Sequence, residues 1–225
     1  MILIDQKEFF DGKMRYSSVS GTAFTVHGRL SFAAQAECVG EPAGADILST
    51  TAIVLMEITT KHDVPRILSD ASQNETVFDN LATKAFTEIA ACVSKYQHSD
   101  RENQFALSTT MLFVVEEKQF FLFRIGSGNA YLRRSGAPYS ELPHKRPLLN
   151  VAGTDIFLRA YTCSPDAKEF TTGVLDPGDD LILAMGNTTF PSEGEWDTIQ
   201  RTIEQTPARM IGLWNIRREA DGNAR

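Results

Sequence analysis

The sequence predicts an α+β fold: two antiparallel β-sheets packed face to face, flanked by helices. Three observations lead there. Strand-like and helix-like segments come in blocks rather than in strict alternation, the order expected of α+β layers rather than of a parallel sheet built from βαβ units. The length of 225 residues suits one large domain. Apolar residues make up 42% of the chain and include 14 Phe, enough bulk for the core between two sheets. Neither an internal repeat nor a low-complexity linker divides the chain, so residues 1–225 are read as a single domain.

The elements follow in order. Ala23-Phe24-Thr25-Val26 and Leu30 to Ala34 read as two strands joined by a turn at His27-Gly28-Arg29. From Ala45 to Thr59 the apolar spacing turns helical, with Ile47, Leu48, Ala52 and Leu55 three or four apart. A second helix is predicted from about Glu75 to Tyr96. Its stripe is Val77, Leu81, Ala85, Ile89, Ala90 and Val93, and Asn74 or Ser72 is placed to cap it. Thr109 to Val115 and Gln119 to Ile125 read as strands joined by a turn at Glu116-Glu117-Lys118. Gly126-Ser127-Gly128-Asn129 then turns into Ala130 to Arg134, giving a three-stranded meander. Pro138 to Ala152 reads as a loop. Asp176-Pro177-Gly178-Asp179 is a turn before the strand Leu181 to Ala184. A last helix is expected over Trp196 to Ile216, interrupted at Pro207, with no strand after it.

Composition excludes several classes. A net charge of −7 argues against nucleic-acid binding, which needs Lys and Arg to neutralise phosphates. Asp5, Lys7 and Glu8 interrupt the start where a signal peptide would be apolar. The most apolar run, Thr51 to Ile58, is far shorter than the roughly 20 residues that span a membrane. A cytoplasmic protein without membrane contact is expected. Cys38, Cys92 and Cys163 are scattered and fit reduced thiols better than a disulfide framework. Ser127 lacks the G-x-S-x-G frame of a hydrolase nucleophile. Asp176, Asp179 and Asp180 are read as turn residues rather than as a cation site.

Three stretches share a frame with a known family. Arg124-Ile125-Gly126-Ser127-Gly128-Asn129-Ala130-Tyr131-Leu132 follows the strand Ser108-Thr109-Thr110. Leu175-Asp176-Pro177-Gly178-Asp179-Asp180-Leu181-Ile182-Leu183-Ala184-Met185-Gly186-Asn187 comes later, and Ala36-Glu37-Cys38-Val39-Gly40-Glu41 precedes the first helix. In order and spacing, over about residues 20 to 215, this resembles the metal-dependent (type 2C) serine/threonine phosphatases. Their matching stretches are S-T-T, V-G-D-S-R-x-Y-L, L-x-x-G-D-x-L-I-L-x-S-D-G and D-G-x-G-G.

The resemblance implies a site for two magnesium or manganese ions sharing a water that attacks phosphorus. Two divalent ions about 4 Å apart repel by about 16 kcal/mol at an effective dielectric of 20, so several carboxylates must surround them. Here Glu37 stands at the Asp of D-G-x-G-G, and Cys38 at the glycine that lends a carbonyl. Gly186 replaces the Asp of S-D-G, and Ser127 and Asn129 replace the Asp and Arg of V-G-D-S-R. Asp5-Gln6-Lys7 is the nearest candidate for the early N-E-D segment, and Lys7 stands where a carboxylate is wanted. Asp221 and Asn223 are matched to the family's closing D-N pair, and Arg15 or Arg29 to its phosphate-binding arginine.

The candidate metal ligands are therefore Glu37, Cys38 and Asp221, enough for one weakly bound magnesium or manganese and not for a pair. The expected function is that of a degenerate type 2C phosphatase-like domain, a pseudophosphatase in phosphorylation-dependent regulation. Its partner would be a phosphoprotein, a kinase or another signalling protein. The alternative is a divergent, active manganese- or magnesium-dependent phosphatase.

Overall fold

The computed structural model describes residues 2–8, 14–25, 28–39, 74–99, 106–116, 118–126, 129–143, 148–151, 154–157, 168–186, 201 and 210–219. The expected helix over 45–59 lies outside them, as does the segment Trp196 to Gln200. The elements are β1 (Ile2–Glu8), β2 (Met14–Thr25), β3 (Gly28–Val39), α1 (Asn74–Ser99), β4 (Ala106–Val115), β5 (Gln119–Ile125), β6 (Asn129–Arg133), β7 (Ser140–Glu141), β8 (Leu148–Val151), β9 (Thr154–Phe157), β10 (Glu169–Val174), β11 (Asp180–Gly186) and β12 (Met210–Arg218).

Two five-stranded antiparallel sheets form, in the orders β1-β12-β11-β6-β7 and β10-β5-β4-β3-β2, with β8-β9 as a separate pair. The expected two-sheet α+β architecture is the one observed. Between the sheets lie Ala33, Leu112, Val114, Phe120 and Leu122 from one, and Ile2, Ala130, Leu132, Leu181, Leu183 and Ile216 from the other. The reverse face of the second sheet carries Phe113, Phe121 and Phe123. Phe78 of α1 stacks on Phe113 and Phe121 with ring centroids 4.9 Å apart in both pairs. With both faces of β5 covered, Phe120 to Ile125 are all buried.

α1 buries Phe78, Ala82, Ala85, Phe86 and Ile89. The expected stripe is thus turned slightly, because the two Phe rings hold the most apolar area and face the sheet. Val77, Leu81 and Ala90 are only half-buried. Lys168, just before β10, ties the helix to the sheet by donating to Thr83 Oγ1 at 2.6 Å and to the Asp79 carboxylate.

Four expectations are corrected. The first hairpin is much longer than expected: Gly28 and Arg29 belong to β3, whose register with β2 runs from Thr25↔Gly28 to Met14↔Val39. The meander does not form, because β6 pairs with β11 in the other sheet rather than with β5. The loop over 138–152 contains β7 and β8. Met210–Arg218 is a strand and not the end of a helix; it pairs with β1 on one side and β11 on the other, so a closing strand is present after all. Glu169–Val174, unassigned in the sequence, pairs with β5.

One end of the first sheet is held by aspartates. Asp179 accepts from the backbone N–H groups of Asp176 at 2.9 Å and Ser135 at 3.0 Å, and from Arg134 at 2.5 Å. This closes the turn in which Gly178 takes φ +88°. Asp180 is fully buried and sits in register between Arg133 of β6 and Arg217 of β12. It accepts from Arg217 Nε at 2.8 Å, from Arg133, and from the Tyr139 hydroxyl at 3.4 Å. The expected structural role of these aspartates is the observed one.

Two predictions follow from that end. Asp180→Ala leaves two guanidiniums facing each other without their shared anion and lowers unfolding free energy by about 3 kcal/mol or more, whereas exposed Asp176→Ala changes it by less than about 0.5 kcal/mol; urea denaturation measures both. Burial, reinforced by the Asp180 carboxylate, raises the Tyr139 phenol above its ordinary value. The folded state therefore favours the neutral phenol. That contribution is whole below the unfolded phenol value of about 10 and is lost as pH rises beyond it. Tyr139→Phe removes that part of the alkaline slope, read from stability measured on either side of pH 10.

Candidate functional site

Antiparallel pairing brings specific strand ends together. The end of β3, the starts of β2 and β4 and the end of β5 meet at one edge of their sheet. Leaving β5, the chain crosses to the other sheet through Gly126 and enters β6 at Asn129. Asn129 pairs with Ala184 near the end of β11, and Gly186 pairs with Met210 at the start of β12 after a register slip. The end of β1 joins them, with Lys7 opposite Leu213.

Glu37 is opposite Tyr16 of β2 and Ser108 of β4, and Cys38 is opposite Arg15 and Leu107. Glu37, Cys38, Arg15 and Gly186 are therefore gathered at one end of the sandwich. Arg29 is not: it pairs with Phe24, eight residues from Glu37 along β3, about 26 Å away. β12 ends at Arg218, whose N–H donates to the Asp179 carbonyl at 3.1 Å at the opposite end. Asp221 and Asn223 lie outside the described residues.

Just inside the gathered end is a row of polar residues. Gln35, Thr110, Arg124 and Glu169 stand side by side across β3, β4, β5 and β10. Arg124 has the strand parity of Phe120 and Leu122, so it faces the core between the sheets. Its side chain is fully buried, and Gln35 and Thr110 are buried with it. The guanidinium donates to the Pro143 carbonyl and lies 3.5 Å from Thr171 Oγ1 and 4.0 Å from the Glu169 carboxylate. Sequence reasoning placed Arg124 on that face without giving it a role. The available signal was a charge inside a strand apolar on both faces, which has to be buried and satisfied.

One row further out, Gly126 has φ +88°. A Cβ there would meet Ser108 Oγ at 2.5 Å and Ser108 Cα at 3.0 Å. Glycine is required twice over, by backbone conformation and by space. The crossing, not a hairpin, is what this glycine serves.

With the geometry in place, likeness to known proteins can be judged. No family model matches the chain, and no curated protein sequence does. Solved structures do. A serine/threonine phosphatase from S. agalactiae matches with TM-score 0.69 at 14% identity, over 97% of this chain and all of that one. The Mycobacterium tuberculosis serine/threonine phosphatase PstP/Ppp matches at 0.57 and 14%, over 92% and 99%. PppA of Pseudomonas aeruginosa, described as a key regulatory component of T6SS, matches at 0.53 and 13%, over 92% and 98%.

The fold is that of the type 2C serine/threonine phosphatases. Within that fold the gathered end is where the resembling family keeps its metals. The residues in hand do not fit a pair of hard divalent cations. Gly186 has no side chain to offer, and Lys7 brings a positive charge to the end of β1. Among the described residues no group of three His, Cys, Asp or Glu is placed to hold a metal ion. No described helix is long and apolar enough to cross a membrane.

Gly126→Ala destabilises the protein by about 2 kcal/mol or more through overpacking and φ strain together. Adding Ser108→Gly relieves the clash and leaves the strain, so the urea midpoint recovers only in part.

Proposed function

We propose that this chain is a type 2C phosphatase-like domain without paired-metal catalysis, acting in phosphorylation-dependent regulation by binding a phosphoprotein, a kinase or another signalling protein in the cytoplasm. The observation that carries the reading is the place of β12. The family's closing strand follows its D-N pair. With β12 as that strand, the pair falls just before Met210, where the sequence reads Thr206-Pro207-Ala208-Arg209 and offers no carboxylate. Asp221 instead comes after the strand.

Together with Gly186 at the S-D-G place, this removes two of the carboxylates that offset the repulsion between two divalent ions. Glu37 and the Cys38 carbonyl remain as donors for at most one weakly held magnesium or manganese, which alone would supply Lewis-acid polarisation of a phosphoryl oxygen. Arg15, opposite Cys38, is the arginine positioned for a phosphate; Arg29 is too distant. The framework that remains can position a phosphorylated segment without cleaving it. The regulatory description of PppA, which shares the fold, accords with such a role.

The test is hydrolysis of p-nitrophenyl phosphate with and without manganese, alongside calorimetric titration of manganese. The expected results are no metal-dependent turnover and, at most, one site weaker than about 1 mM, the weak end of protein sites for hard divalent cations. Manganese-dependent hydrolysis that Glu37→Ala abolishes would establish the active-phosphatase reading instead.

A further inference from the structure

We propose that the gathered end of the sandwich binds a phosphate monoester dianion directly, without a metal, and that buried Arg124 supplies the fixed positive charge. The proposal rests on the reading that the paired metals are missing, and adds what stands in their electrostatic place. Arg124 is fully buried on the inter-sheet face. It is two residues from Gly126 and one row inside the Glu37–Ser108 pair, about 7 Å along the strand. In a site of low dielectric and little water, a charge at that distance is felt.

The compensation for that charge is incomplete. Glu169 is the printed carboxylate partner, at 4.0 Å, with its side chain 18% exposed. The remaining polar contacts, the Pro143 carbonyl and Thr171 Oγ1, carry no formal charge. A fixed cation beneath the end repels divalent cations and attracts a dianion. Arg124 does not touch the ligand; it sets the potential, while Arg15 stands at the rim as the first residue to follow Met14 in β2. The same reversal of sign appears at the end of β1, where Lys7 stands in place of a carboxylate.

The experiment is calorimetric titration of the full chain in EDTA with inorganic phosphate, a phosphoserine peptide and its unphosphorylated counterpart. Binding of the phosphopeptide and not of its counterpart is expected. Phosphate binding as well assigns the dianion alone; phosphopeptide binding without it assigns the dianion on a peptide. Arg124→Met weakens binding about tenfold, the effect of one lost favourable charge interaction of about 1.4 kcal/mol, and Arg124→Lys restores most of it.

Glu169→Gln, which removes the nearby carboxylate and spares Arg124, tightens binding several-fold; it decides the matter if Arg124→Met does not fold. Binding seen only with manganese, equal binding of both peptides, or no tightening in folded Glu169→Gln overturns the proposal. Absence of both hydrolysis and metal-free phosphate binding overturns this inference alone, whereas manganese-dependent hydrolysis overturns the reading beneath it.

Discussion

The architecture turns on one crossing. At Gly126 the chain leaves the sheet of β5 and enters the sheet of β6, and it can do so only because a residue without Cβ lies against Ser108 with φ +88°. That contact fixes where the two sheets meet at their shared end. It sets Asn129 opposite Ala184 and so places the end of β11 beside the starts of β6 and β12. On the other side it holds Ser108 against Glu37. Everything at the candidate site derives its position from this crossing, although the glycine itself has no chemistry to perform.

The two ends of the sandwich spend their charges differently. At the far end the carboxylates of Asp179 and Asp180 are consumed by backbone amides and arginines, closing a turn and joining β6, β11 and β12. A carboxylate so engaged is not available to a cation, which is why an acidic run in the sequence is no metal site. At the gathered end the described charge buried in the core is a guanidinium. Burial of a charge is tolerated where hydrogen bonds and a counter-charge meet it, and Arg124 has a carbonyl, a hydroxyl within reach and a carboxylate near by. The sign of the buried charge, rather than the shape of the fold, separates this end from one built to hold two divalent cations.

Local chemistry was legible and long-range pairing was not. The bounds of β5, the turn at Asp176 to Asp179 and the presence of α1 could be read from alternation, turn residues and helical spacing. The meander failed because consecutive strands need not be neighbours, and nothing between Ile125 and Asn129 tells a hairpin from a change of sheet. The last strand failed for a related reason. Met210, Leu213 and Trp214 have helical spacing, and what decides for a strand is a pair of partners, β1 and β11, the former some 200 residues earlier. Arg124 was visible as a residue and invisible as a feature, since its burial depends on β10, which the sequence did not announce.

That misread last strand bears directly on function. Read as a helix, the C-terminal region leaves the family's closing carboxylate to be sought after it, at Asp221. Read as a strand that closes the sheet, it moves the same search ahead of Met210, to a stretch holding proline, alanine and arginine. Each reading retains Glu37. Only the second leaves Glu37 without a matched partner carboxylate at the ends of β11 and before β12. Charge balance then disfavours two divalent ions before any distance is considered, because one carboxylate cannot offset a repulsion on the order of 16 kcal/mol. A secondary-structure assignment thus determines which charges can meet, and through them which chemistry the fold can support.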